Sequence, residues 1–256
     1  MRKRRFPKII GITLLIISLI IIAYPFVSDF IQKEKTNKAI EAFDEVADNI
    51  ILPSETSESD ESSQTAETAP VSPRVDSYED TRTENHPDIE HLYADSKAYN
   101  ERLADSQDMG SGFTASVLDL YDYGIYDGMY GYVYSDAIGM QLPIYLGATE
   151  YNMANGAAHM SNTSLPIGGE GSHSVMVGHT GYIGRTFFDA IRYLEEGDTV
   201  KVRNYFGTLT YKVISFKEIS ATETGDLYID KDKDLLSLIT CARYGTRRYR
   251  VTCERI

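Results

Sequence analysis

An apolar run near the N-terminus, Ile9–Val27, restricts the possible folds of this chain more than any other segment, because it contains no charged residue. At about 1.5 Å per residue, a helix over this run can cross a hydrocarbon core of about 30 Å. The run is longer than the apolar region of a typical signal peptide, and no small-residue cleavage site follows it. The sequence therefore predicts an uncleaved transmembrane anchor at residues 9–27, with a signal peptide as the alternative.

The charges beside this run predict its orientation. Residues 1–8 form a tail whose charged residues are all Arg or Lys. Basic residues next to a membrane span favour the cytoplasmic side. We therefore expect a cytoplasmic N-terminus and an extracellular remainder. No second apolar span precedes Ile256, so the expectation is a single-pass protein of the cell membrane.

Two segments of opposite character follow the predicted anchor. Residues 28–51 predict an amphipathic helix that packs on the following domain, since their apolar side chains recur at helical spacing: Ala39, Ile40, Phe43, Val46, Ala47 and Ile50. Residues 52–88 are rich in Ser, Thr, Glu and Asp and poor in large apolar side chains. Such a composition cannot bury enough apolar surface to fold, so we expect a disordered acidic spacer.

Residues 89–256 have the pattern of a folded domain. A helix is predicted at 89–104, and from about residue 113 short β-branched and aromatic runs alternate with Gly, Asn and Asp. Many short strands with few helices favour a mainly β closed barrel or a sandwich. A short helix is expected at Phe187–Leu194. The predicted strands are Tyr130–Tyr134, Leu142–Tyr145, Val175–Gly178, Thr199–Asn204, Leu209–Ile219, Leu235–Cys241 and Arg247–Cys253.

Composition argues against several classes of partner. The formal net charge is −13 and the chain contains no Trp, which argues against a nucleic-acid partner. No Gly-rich phosphate loop and no zinc-type pair of cysteines is present. We therefore expect no cofactor and no metal.

The last stretch of the chain, 234–256, predicts two strands joined by a short turn. If the hairpin closes symmetrically about Tyr244–Gly245, Cys241 lies opposite Arg248, with Cβ atoms about 5 Å apart. A guanidinium in that position can stabilise an oxyanion and lower the pKa of a thiol. The alternative is a buried structural cysteine followed by a solvated basic strand.

The same register bears on whether the two cysteines form a disulfide. It places Cys253 opposite Leu236, about 17 Å from Cys241 at about 3.4 Å per residue, which is beyond disulfide reach. An extracellular thiol without a disulfide partner is explained most simply by a role as nucleophile.

A second informative segment, Ser172–Gly181, ends in a histidine. If it is extended, alternate residues share a face, Val175 and Val177 point into the core, and His179 lies where the strand enters a loop. That position suits a general acid or base. His173 is expected to be structural. The alternative is a metal site formed by His173, His179 and a cysteine.

Several motifs together resemble the sortases, a family of cysteine transpeptidases. Residues 237–241 resemble the TLxTC motif, residues 177–181 the segment of the catalytic histidine, and residues 246–251 the strand of the catalytic arginine. Further segments are similar to class C, the pilin-polymerising sortases: Ala98–Ala104, Leu142–Gly147, His159, Thr163–Gly169, His173–Val175 and Tyr24–Ser28.

The resemblance implies an eight-stranded sortase-type closed β-barrel. It implies Cys241 as nucleophile, His179 as general acid and base, and Arg248 as the oxyanion-stabilising cation, with Arg247 and Arg250 as alternatives for the last role. Substrate contacts are expected from Thr240, Arg250 and His159.

The implied substrates are pilins or surface proteins with an LPxTG-like sorting signal, cleaved between Thr and Gly and joined to a pilin lysine. Alternatives are transfer to a cell-wall precursor amine and a non-catalytic peptide-binding barrel.

Two features depart from class C. Residues 105–126 contain no Pro, so the Asp-Pro-aromatic lid of those enzymes is not expected. No second span follows the barrel, so we expect attachment through the N-terminal anchor alone.

Overall fold

Eight strands close into a barrel in the computed structural model, which describes residues 6–50, 87–109, 112–181, 188–223, 227–242 and 245–256. Their order around the barrel is β1-β2-β3-β4-β7-β8-β6-β5. The pairs β2/β3 and β4/β7 are parallel, and the other pairs are antiparallel. The strands are β1 (Met129–Ser135), β2 (Met140–Leu146), β3 (Ala157–His159), β4 (Ser172–Gly178), β5 (Thr199–Asn204), β6 (Gly207–Ser220), β7 (Asp234–Ala242) and β8 (Arg247–Arg255).

The fold confirms the predicted mainly β closed barrel. Each strand predicted from the sequence lies within an observed one. The strand that the sequence did not predict is β3, which is too short to show an alternating pattern. The helices are α1 (Phe6–Asn49), α2 (Ile89–Asp105) and α3 (Glu150–Asn155), with 3-10 segments at Leu120–Tyr123, Asp136–Ile138 and Phe188–Tyr193.

The predicted anchor and the predicted amphipathic helix form one continuous helix, α1. By length and composition α1 can cross a membrane. Its C-terminal half packs on the barrel, where the ring of Phe43 lies 5.9 Å from that of Tyr132 and 4.5 Å from that of Tyr205. The Tyr132 hydroxyl also donates to the carboxylate of Asp44 at 3.1 Å. Most of the predicted spacer of residues 52–88 lies outside the described residues, which omit 51–86.

Two apolar clusters lie on opposite faces of β4 and β7. Met176, Leu236 and Leu238 belong to the main core, whereas Val175 and Ile239 belong to a second cluster. Period-two alternation along each strand accounts for this division. The prediction that Val175 and Val177 point into the core is confirmed, and the core that they enter is the second cluster: Val175 is buried in it and Val177 packs against it. By the same alternation, Cys241 lies on this second face.

Candidate active site

Three adjacent strands place Cys241, His179 and Arg248 side by side. In the antiparallel pair β7/β8, Cys241 is the partner of Arg248, as the sequence predicts. In the parallel pair β4/β7, Gly178 is the last residue of β4 and the partner of Thr240, so His179 directly follows β4 where Cys241 continues β7. The backbone register therefore places Cys241 between the positions of His179 and Arg248.

Tight packing holds the end of β4 in position. The Thr240 hydroxyl donates to the carbonyl of Gly178 at 2.8 Å. A Cβ on Gly178 would lie 2.3 Å from a ring carbon of Phe188, so only glycine fits there without movement. The Phe188 amide donates to the carbonyl of His179 at 3.2 Å. These contacts fix the backbone from which the His179 side chain projects.

The two cysteines have different environments. Cys253 is fully buried opposite Leu236, and burial raises the pKa of its thiol to about 12. Cys241 is partly exposed, and neither cysteine forms a disulfide. The register argument against a Cys241–Cys253 bridge is confirmed, and Cys241 is the thiol that a substrate can reach.

The Arg248 guanidinium is held close to the hairpin turn. Its Nη1 donates to the carbonyl of Gly245 at 2.8 Å and to that of Arg247 at 3.0 Å. The neighbouring Arg247 instead bonds Glu218, with Nε 3.2 Å from the carboxylate. In the β7/β8 ladder Arg248 is the partner of Cys241, whereas Arg247 is the partner of Ala242. Of the two arginines, Arg248 is therefore the one opposite the thiol.

The structure adds one residue that sequence reasoning missed. Nε2 of His179 lies 3.0 Å from Oε2 of Glu150, the first residue of α3. The Thr-Glu-x-Asn pattern of 149–152 is typical of a helix start. No local signal, however, places that helix beside a residue 29 positions away along the chain.

His173 has the structural role that the sequence favours. Its Nδ1 lies 3.2 Å from the carbonyl of Tyr228, its Nε2 lies 2.8 Å from the hydroxyl of Ser237, and the residue is fully buried. His179 lies six positions further along the extended chain, about 20 Å away at about 3.3 Å per residue. One metal ion cannot bind both histidines, so the alternative metal site is excluded.

The three residues predicted to contact a substrate, Thr240, Arg250 and His159, are all buried in this structure. His159 is fully buried, with Nε2 3.0 Å from the carbonyl of Ser164, so its side chain does not reach the surface of this structure. Thr240 is 2 % exposed and uses its hydroxyl to join β4 and β7. Arg250 shares the face of Cys241 but is also 2 % exposed, so a substrate reaches it only after a neighbouring side chain moves.

Residues 107–109, which lack the lid motif, cover part of the barrel face that carries Cys241. Met109 is 5 % exposed in the second cluster, which includes Ile239, two residues before Cys241. The Gln107 side chain holds this segment between two loops. Its amide nitrogen donates to the carbonyls of Asn162 at 3.0 Å and Leu227 at 3.3 Å, and its oxygen accepts from the amide of Ile229 at 2.7 Å. We call residues 107–109 the cover segment.

Comparisons with known proteins agree with this geometry. The sortase-domain family model matches residues 133–256. Sortase D of Bacillus subtilis (strain 168) is 27% identical over 104 residues, which are 41% of this chain and 50% of that protein, so the chain spans half the length of this curated relative.

Two solved structures extend the likeness. Sortase C-1 from Streptococcus pneumoniae is 31% identical, with a TM-score of 0.59 over 66% of this chain and 90% of that chain. Sortase C2 of pilus island 1 from Group B Streptococcus is 30% identical, with a TM-score of 0.58 over 66% of this chain and 97% of that chain.

Proposed function

The chain belongs to the sortase family, and on that premise we propose that it is a membrane-anchored cysteine transpeptidase with Cys241 as nucleophile, His179 as general acid and base, and Arg248 as oxyanion stabiliser. The observation that supports this proposal is the register of three adjacent strands, which brings the backbone positions of these three residues to the same end of β4, β7 and β8. A thiol nucleophile is activated by an adjacent general base, and a nearby cation can stabilise the oxyanion that its attack creates.

In the first half of the reaction, the Cys241 thiolate attacks the carbonyl carbon of the Thr–Gly bond in an LPxTG-like sorting signal. The negative charge that develops on the carbonyl oxygen is stabilised by the Arg248 guanidinium. The His179 imidazolium donates a proton to the leaving amine, and the C–N bond breaks. The products are a thioester on Cys241 and a released C-terminal peptide.

In the second half, a lysine ε-amine of another pilin subunit attacks the thioester carbonyl. His179 accepts the proton that this amine loses, as microscopic reversibility requires. The C–S bond breaks, the Cys241 thiolate is regenerated, and an isopeptide bond joins the two subunits. Neither half of the reaction as written needs an oxidant, a reductant or a metal.

The support for a pilin substrate comes from similarity of this chain to known sortases, and not from a feature of the site. One solved relative with 30% identity is a sortase of a pilus island. We propose pilus polymerisation on this ground, with attachment to a cell-wall precursor amine as the competing outcome of the same chemistry.

The proposed location is the cell membrane, with the barrel outside the cell. The large apolar side chains of α1 from Ile10 to Ile31 are exposed to the surroundings, as a span in lipid requires. Thr36 is the first buried residue of α1. The helix from Ser28 to Thr36 is about 12 Å long at about 1.5 Å per residue, so the barrel would lie close to the membrane surface.

Transpeptidation of the full chain in detergent micelles tests the proposal. An LPxTG-type peptide is incubated with a pilin lysine donor, with a wall-precursor amine, or with neither, and products are identified by mass spectrometry. We expect an isopeptide product with the pilin donor from the wild type and from Cys253→Ala, and none from Cys241→Ala.

Each outcome of this assay has a distinct meaning. Product only with the wall-precursor amine would move the assignment to anchoring. Peptide binding without any cleaved product from the wild type would refute the enzyme and favour the peptide-binding barrel.

A further inference from the structure

The contact between His179 and Glu150 determines which nitrogen of the imidazole carries a fixed proton. Nε2 lies 3.0 Å from the Glu150 carboxylate, and an ionised carboxylate only accepts hydrogen bonds. Nε2 must therefore be the protonated nitrogen in this contact. Nδ1 is then the nitrogen whose proton changes hands during the reaction.

We propose that Glu150 is a positioning residue, which holds the His179 ring by accepting the Nε2 hydrogen bond and so directs Nδ1 toward the thiol and the reacting amines. This inference rests on the proposed function. It adds a fourth residue to the three that sequence motifs identify. A carboxylate that orients a catalytic imidazole is a general device in enzymes.

The placement of Glu150 is supported by a rigid base. The Thr149 hydroxyl accepts from the amide of Asn152 at 3.0 Å and caps α3. The Asn152 side chain donates to the carbonyls of Leu146 at 2.9 Å and Gly147 at 2.8 Å. These bonds attach α3 to the end of β2, so the backbone of Glu150 is fixed relative to the barrel.

The backbone of His179, the residue that contacts Glu150, is fixed as well. The His179 backbone is fixed by the bond from Phe188 and by the packing of Phe188 on Gly178. The His179 side chain is 23% exposed, whereas that of Glu150 is 87% exposed. Because Glu150 buries little surface, its removal should alter the orientation of the ring without weakening the core.

The first test separates orientation from charge. Glu150→Ala removes the acceptor, whereas Glu150→Gln keeps an acceptor oxygen and removes the charge. For the full chain in micelles, we expect Glu150→Ala to slow thioacyl formation about 3- to 10-fold with unchanged peptide KM, and Glu150→Gln to stay within about twofold of the wild type.

A second readout does not depend on activity. In the full chain labelled with ¹⁵N-histidine, the Nε2 proton of His179 should be visible by NMR in the wild type and in Glu150→Gln, and lost to solvent exchange in Glu150→Ala. The matched control is Glu170→Ala, an exposed glutamate that precedes the opposite end of β4. It should change neither readout.

The outcomes distinguish this inference from the proposed function. An Nε2 proton that persists in Glu150→Ala, or equal rates in Glu150→Ala and the wild type, would overturn the role of Glu150 alone. Absence of any thioacyl enzyme in the wild type would instead overturn the proposed function, while the NMR comparison would still decide whether Glu150 holds the ring.

Discussion

Arg248 is the antiparallel partner of Cys241, directly across the hairpin formed by β7 and β8. A symmetric hairpin is the simplest closure of the last two strands, and the observed ladder has that closure. The relationship favours Arg248 over its immediate neighbours in sequence as the residue beside the thiol, because successive residues of a strand face opposite ways.

We predict that Arg248→Gln reduces the rate of thioacyl formation by about 10²- to 10³-fold, as loss of one oxyanion donor does in other enzymes. Single-turnover kinetics with an LPxTG-type peptide measures this rate. Arg247→Gln is the matched control, since Arg247 pairs with Glu218. Its rate should stay within a few-fold of the wild type. Equal losses in both variants would show that general charge, not the position opposite Cys241, matters.

The cover segment predicts the reactivity of the thiol. Gln107→Ala removes its bonds to Asn162, Leu227 and Ile229. Loss of these bonds should loosen residues 107–109 from the face that carries Cys241. We expect alkylation of Cys241 to become about 3- to 10-fold faster, as measured by intact mass over time.

Gln141→Ala controls for this experiment, because Gln141 is an exposed residue of β2. Its alkylation rate should equal that of the wild type. If Gln107→Ala also matched the wild type, the cover segment would not limit access to the thiol.

His159 predicts a pH dependence of stability. Burial lowers the pKa of this histidine to about 4 from 6.5, and its Nδ1 has no hydrogen-bond partner among the described residues. His159 binds a proton more tightly in the unfolded chain than in the folded one. The stability that the neutral, buried His159 contributes is therefore present above about pH 6.5 and is lost as the pH falls toward 4.

The expected loss is about 3 kcal/mol of unfolding free energy between about pH 7 and about pH 4. Denaturant unfolding at several pH values measures it. In His159→Gln this component should disappear, whereas His91→Gln, which alters an exposed histidine, should keep it. An unchanged pH slope in His159→Gln would contradict the burial argument.

The sequence predicts most of the fold because its strands are long enough to show period-two alternation. It does not reveal β3, whose three residues form a strand only because the neighbours β2 and β4 pair with them. The hairpin of β7 and β8 is predictable in register because a short turn constrains both strands.

The site is predictable in part for the same reason. Cys241 and Arg248 are joined by a local turn, so their relationship follows from the spacing of residues along the chain. Glu150 reaches His179 only through the docking of α3, and the burial of His159 and Thr240 depends on packing from distant segments. Motif likeness identifies such positions but does not distinguish a substrate contact from a structural one.

The central claim is that Cys241 carries the acyl group. The most direct measurement is the intact mass of the full chain after brief reaction with an LPxTG-type peptide and no amine acceptor, followed by peptide mapping. The account predicts a mass increase equal to the N-terminal fragment ending in Thr minus one water, located on Cys241 and absent in Cys241→Ala. The same mass increase on Cys253, or cleavage of the peptide by Cys241→Ala at the wild-type rate, would contradict it.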